Sequence, residues 1–246
     1  MSNPEENGVW FRYTFVLPDG GRKVFEARLD PATMLLVPEE RAEPLPEWTK
    51  LDSGKCGNCP LNSRETPHCP AAVALSGVVK GFRDVISYEE TEVVVESEGR
   101  SFSKKAAVQR TLPSLIGLYM ATSGCPILEK LKPMARFHLP FASIDETAYR
   151  VVTMYAAAQM IRAQRGLTTD WKMEGLQSLY DEIAKVNVDF CGRLRAAVSQ
   201  DSLFNSIVSL DVFASVMKAP ELGKIEEVLA LFAAYVRDDA PPPAAP

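Results

Sequence analysis

The five cysteines constrain this chain more than any other feature: Cys56, Cys59 and Cys69 crowd one short stretch, Cys125 stands far downstream, and Cys191 stands alone. Lys55-Cys56-Gly57-Asn58-Cys59-Pro60-Leu61 is a C-x2-C turn that can present two thiolates to one ion, and Pro67-His68-Cys69-Pro70 follows closely enough to fold back on it. Ser123-Gly124-Cys125-Pro126 supplies a candidate fourth ligand. Pro70 and Pro126 each stand directly before a predicted helix, and proline is favoured at the first helical position, so Cys69 and Cys125 are candidate N-caps. A sulfur there sits in the positive end of the helix field, which favours thiolate over thiol and so an anionic metal–thiolate centre.

Four thiolates suit both an iron–sulfur cluster and Zn2+. The Cys-Pro pairs and the apolar neighbours of Cys125 (Leu118, Met120, Ile127, Leu128 and Met134) favour the cluster, of 4Fe–4S type. A C-x2-C knuckle with a distant closing ligand suits zinc, with His68 as a replacement ligand. The competing readings are a thiol-redox or disulfide role and simple packing, since free cysteine is a frequently buried residue type. Packing accounts for Cys191, which lies in Val188-Asp189-Phe190-Cys191-Gly192 with no second cysteine or histidine nearby. Met134-Ala135-Arg136-Phe137-His138-Leu139-Pro140-Phe141 combines a cation, an imidazole and aromatics, which makes Arg136 and His138, with His68, candidates for a shell behind the ligands. The plainer reading of His138 is a hydrogen-bonded structural imidazole. Arg110, Arg136 and Arg150 are dispersed and read as surface or ion-pair charges.

No reaction can be read from the residues. There is no Gly-rich phosphate loop with its strand, Lys and Ser/Thr context, no G-x-S-x-G elbow and no H-E-x-x-H helix. A formal net charge of −5 argues against general nucleic-acid binding, which needs a dense basic surface. Met1 to Glu6 is acidic where a secretory signal is basic, and apolar runs such as Val228 to Val236 are far too short to span a bilayer, so a cytoplasmic protein without a membrane span is expected. The cytosol keeps thiols reduced, which fits cysteines used as ligands.

Val9 to Leu17 is rich in aromatic and β-branched residues, Pro18-Asp19-Gly20-Gly21 reads as a turn, and Lys23 to Leu29 places Val24 and Glu26 on one face with Phe25 and Ala27 on the other. A hairpin follows, with Met34-Leu35-Leu36-Val37 as a third strand. Helices are expected over 71–86, 113–122, 126–132, 144–165, 170–198, 201–217 and 221–237, with Thr169 or Asp170 capping the fifth. The fold class is therefore α+β: a small antiparallel β domain over 1–37, a proline-containing connector over 38–55, a mainly helical domain over 56–238 with a hairpin near 92–103, and a disordered tail over 239–246.

The combination of Cys56-x2-Cys59-Pro60, His68-Cys69-Pro70, Ala121-Thr122-Ser123-Gly124-Cys125-Pro126 and Met134 to Phe141, together with the N-terminal hairpin, resembles a family of bacterial proteins whose function is undetermined. The resemblance implies a bacterial source and that the two parts belong together; it brings no activity, substrate or partner. The expectation is a metal-binding protein with Cys56, Cys59, Cys69 and Cys125 around an iron–sulfur cluster, in redox or metal sensing or electron transfer, its β domain meeting a partner protein. The alternatives are an interaction module stapled by structural Zn2+, and an enzyme using a Cys125 thiolate with His138 as base.

Overall fold

A computed structural model describes residues 8–38, 43–195, 205, 207, 210 and 231–235. Strands β1 (Val9–Val16) and β2 (Arg22–Leu29) form the expected antiparallel hairpin, with Thr14 opposite Val24 and Tyr13 opposite Phe25. Its turn closes through Leu17 N–H to the Gly21 carbonyl and Gly20 N–H to the Leu17 carbonyl, both 2.9 Å, and Gly20 takes φ 82°. Strict alternation in β1 sends Val9, Phe11, Tyr13 and Phe15 into the core. On β2, Ala27 is buried and Val24 exposed, as the polarity pattern requires.

Met34 to Val37 adds no third strand: only Leu36 bridges to Leu29. Asp30 starts a turn in which its Oδ1 accepts from the Thr33 N–H and Met34 is thrown to φ 57°, and the segment meets the end of β2 through Asp30 N–H to the Leu35 carbonyl and Val37 N–H to the Arg28 carbonyl. The third and fourth strands come from the second hairpin, longer than expected: β3 (Glu90–Ser97) and β4 (Arg100–Ala107), joined through Glu98-Gly99 with Gly99 at φ 65°. β3 pairs with β1, so one four-stranded antiparallel sheet runs β2-β1-β3-β4. The reason is patterning, because Thr91, Val93 and Val95 bury the same face that β1 buries.

That face is covered by helices α1 (Pro70–Phe82) and α2 (Val108–Thr122). Phe82 at the end of α1 packs edge-on to Phe15 at 5.0 Å and stacks on Phe25 at 5.4 Å, and a Cβ on Gly81 would meet the Phe25 ring at 2.7 Å. α2 begins five residues before the expected start at Pro113, because the Val108 and Gln109 N–H groups find the carbonyls of Glu89 and Ser87. Leu112, Leu115 and Ile116 are then fully buried. Each such side chain contributes about 1.5–3 kcal/mol over its exposed state.

The expected helix from Pro126 is instead a 3-10 turn over Leu128–Leu131 followed by α3 (Lys132–Arg136). Pro133 has no N–H to give the Glu129 carbonyl, which takes the Lys132 N–H instead and tightens the turn. α4 (Ile144–Gln164) opens with a capping box between Ser143 and Glu146. α5 (Glu174–Arg195) is preceded by Asp170, whose carboxylate accepts from the N–H groups of Glu174 and Gly175. Strands and helices share one apolar core, and the architecture is α+β. The helices expected over 201–217 and 221–237 fall almost entirely, and the tail wholly, outside the described residues. Among the described residues no helix is long and apolar enough to cross a membrane.

Candidate metal centre

Cys56 and Cys59 sit on a tight turn closed by the Cys59 N–H to the Cys56 carbonyl at 3.0 Å. Cys69 is the N-cap of α1 with Pro70 at the first helical position, as the Cys-Pro reading predicts. Cys125 caps no α-helix, since the segment after it is the 3-10 turn over Leu128–Leu131. Its sulfur nevertheless accepts from the backbone N–H groups of Ile127 and Leu128, so it still faces orphan donors at the start of a turn.

These four cysteines, from three separate segments, line one enclosed cavity of about 20 Å³ whose remaining wall is nearly all apolar, including Leu51, Ile127, Val186 and Phe190. The space is about that of one water-sized sphere. Cys56 and Cys69 are buried, Cys59 and Cys125 partly so, and all are free thiols. Burial, and then the charges of Cys69, Asp189, Cys125 and Cys59, push the Cys56 thiol up to about 12. Cys125 is raised by burial too, against the pull of its two N–H donors. As bare thiols Cys56 and Cys125 stay protonated near neutrality, and a bound cation would ionise them. Among the described residues no three or more His, Cys, Asp or Glu side chains stand close enough to hold a metal ion. Any metal therefore needs the sulfurs to draw together, or a centre wider than one ion.

The back wall of the cavity is α5. Val186, Phe190 and Arg193 face it, and the cysteine turn is fastened to the same helix by Gly57 N–H to Asp189 Oδ2 at 2.8 Å and by Asn58 Nδ2 to Glu182 Oε2 at 2.6 Å. A Cβ on Gly57 would meet Lys185 Cε at 2.9 Å, the end of a flexible side chain that can swing aside. Arg193 is 2% exposed and donates through Nη1 to the carbonyls of Trp48 (2.7 Å) and Lys50 (2.6 Å) and through Nη2 to that of Leu51 (3.0 Å). Its Nε is buried without a hydrogen-bond partner. Sequence reasoning missed Arg193 and Asp189. The signal was present, because the stripe through Leu176, Leu179, Ile183, Val186 and Phe190 continues at helical spacing onto Arg193, a charge on an apolar face. Val188, apolar but off this stripe, is 58% exposed.

His68, Arg136 and His138 lie elsewhere than on the cavity wall. His68 Nδ1 is hydrogen-bonded to Thr49 Oγ1 at 2.8 Å and faces a shallow surface recess with Lys50 and Arg64. Arg136 lies over the exposed ring of Phe137. The His138 imidazole is enclosed against Phe11 and Tyr13, and burial, with the Arg150 charge, lowers it to about 3. Phe141 N–H donates to Ser114 Oγ at 3.1 Å, Ser114 Oγ meets the Tyr13 hydroxyl at 3.1 Å, and that hydroxyl meets His138 Nε2 at 2.5 Å. Tyr13 is fully buried and its phenol raised by burial, so it stays protonated beside a neutral imidazole. This relay is a satisfied polar core. Cys191 is buried on α5 outside the cavity wall.

The fold and the cavity define an α+β protein in which two hairpins make one sheet and three cysteine segments meet against a single helix. The chain belongs to the family described as a domain of unknown function, DUF6901, whose model matches residues 9–233. No curated protein matches it, and no solved structure does.

Proposed function

We propose that this is a metal-binding protein in which Cys56, Cys59, Cys69 and Cys125 hold an iron–sulfur cluster that serves redox or metal sensing, or electron transfer. One observation carries the reading: four thiols from three segments border a single closed apolar cavity, with a buried guanidinium in its wall. The donor set fits the group, because soft thiolates in an apolar, solvent-shielded shell are what such clusters use. When bound, the cluster supplies one-electron chemistry. The chain's own residues exclude water, direct the Ile127 and Leu128 N–H groups at the Cys125 sulfur, and hold the Cys56/Cys59 turn on α5 through Asp189 and Glu182.

A second reading is a structural Zn2+ that staples the connector to the helical body, making the protein an interaction module. The cavity size favours it, since about 20 Å³ leaves room for one ion once the sulfurs draw together, while a multi-iron core needs the walls to part. The two separate on anaerobically purified protein. Iron with acid-labile sulfide and visible absorption supports the cluster; a colourless protein with about one zinc per chain supports the staple. Protein carrying neither overturns both.

A further inference from the structure

The buried guanidinium of Arg193 has more hydrogen-bonding capacity and more charge than its surroundings answer. Arginine stays protonated in proteins, and at 2% exposure this one is removed from water. Three backbone carbonyls, of Trp48, Lys50 and Leu51, satisfy its two terminal nitrogens. Carbonyl dipoles solvate a cation without neutralising it, and among the described residues Arg193 makes no ion pair. A clamp on the connector explains the Nη atoms and leaves the buried Nε–H unexplained. The placement is built from both sides: Gly54, at φ 146°, lies so close that a Cβ there would meet Arg193 Cβ at 3.3 Å.

The side chain forms part of the wall of the four-cysteine cavity, and four thiolates around either Zn2+ or an iron–sulfur core leave a net negative charge. Resting on the reading of that cavity as a metal–thiolate centre, we propose that Arg193 is its positioning cation: Nε–H donates to a sulfur of the loaded centre, and the guanidinium charge offsets the negative charge of the thiolates. This makes one residue join three things, namely the centre, α5 and the connector carbonyls at 48, 50 and 51. Outer-shell donors of this kind hold ligands in place and tune the metal.

The test compares full-length wild type, R193K and R193Q, purified anaerobically and assayed for metal release to EDTA, with unfolding of the metal-free forms measured in parallel. Wild type without metal overturns the centre and this inference together. With metal present, R193Q is expected to release it about 10–100-fold faster than wild type, with R193K between. If the centre is redox-active, its midpoint potential falls in R193Q, because a nearby cation favours the more negative reduced state. Equal release rates and an unchanged spectrum overturn the role of Arg193 and leave the centre standing. Should R193Q fail to fold, wild type with nitrogen-15-labelled arginine carries the test. The Arg193 Nε–H resonance is expected to move when the metal is removed, and an unmoved resonance overturns the proposal.

Discussion

The backbone N–H of Gly57 donates to Asp189 Oδ2 at 2.8 Å, fastening the cysteine turn to α5 across 132 residues of sequence. A loop of this kind keeps its geometry only while something distant holds it, and here the Asp189 carboxylate shares that work with the Asn58–Glu182 contact. Asp189→Ala is expected to lower stability by about 1 kcal/mol. Asp189→Asn, which keeps an acceptor, should lose less. Denaturant melts of the three proteins check the order; equal midpoints would show that the contact holds nothing.

Gly54 combines φ 146° with a backbone so close to α5 that an added methyl group would stand 3.3 Å from Arg193 Cβ. Gly54→Ala therefore suffers backbone strain and crowding together, about 1–3 kcal/mol. Gly77 has φ outside the left-handed region and nothing within 4 Å of its Cβ position, so Gly77→Ala inside α1 is expected to stabilise slightly. Paired thermal melts decide; a tolerated Gly54→Ala would mean that Arg193 is free to give way.

If the proposed centre is present, Cys56→Ser, Cys59→Ser, Cys69→Ser and Cys125→Ser should each strip or sharply deplete its metal. Cys191→Ala should keep it, at about 1 kcal/mol in packing. Metal content per chain, measured on anaerobic preparations, is the readout. A Cys125→Ser protein with full occupancy would remove the distant segment from the centre.

His138 gives the pH dependence a direction. Its folded-state value of about 3 lies below the ordinary 6.5, so between these values the unfolded chain carries a proton on this imidazole that the folded chain refuses. Stability is then complete above pH 6.5 and declines as pH falls toward 3, with a limiting slope of about 1.4 kcal/mol per pH unit. The interval from pH 6.5 to 5 is clearest, because most carboxylates have not yet titrated. His138→Gln should flatten the slope there, whatever it does to overall stability. An unchanged slope in urea melts would assign the dependence to another group.

The Ser143–Glu146 capping box satisfies two orphan donors at the start of α4, through Glu146 N–H to Ser143 Oγ at 3.2 Å and Ser143 N–H to Glu146 Oε2 at 2.7 Å. Ser143→Ala is expected to lose about 1 kcal/mol, and Ser143→Asp to recover most of it. Circular dichroism melts of both variants provide the check.

Local rules carried as far as local physics reaches. The aromatic and β-branched run from Val9 to Leu17 and the near-alternation of Lys23 to Leu29 announced the hairpin, and Cys69-Pro70 announced an N-cap. The same rules overreached at Met34 to Val37, where a turn displaced the strand, and at Pro126, where a second proline at 133 broke the helix. Val108 joined α2 because carbonyls at 87 and 89 received its first N–H groups, contacts that no window around Pro113 contains.

What the sequence determined by itself was the set of thiols and the periods of the elements, since both depend on residue identity and near neighbours. Which hairpin completes the sheet, which helix backs the cysteines and which charge is buried beside them were decided only by tertiary structure. These outcomes turn on pairing between β1 and β3 and on contacts such as Asp189 with Gly57 and Arg193 with Lys50, whose partners are separated by scores of residues. Long-range packing selects among faces that are locally equivalent, and local patterning carries no record of that choice.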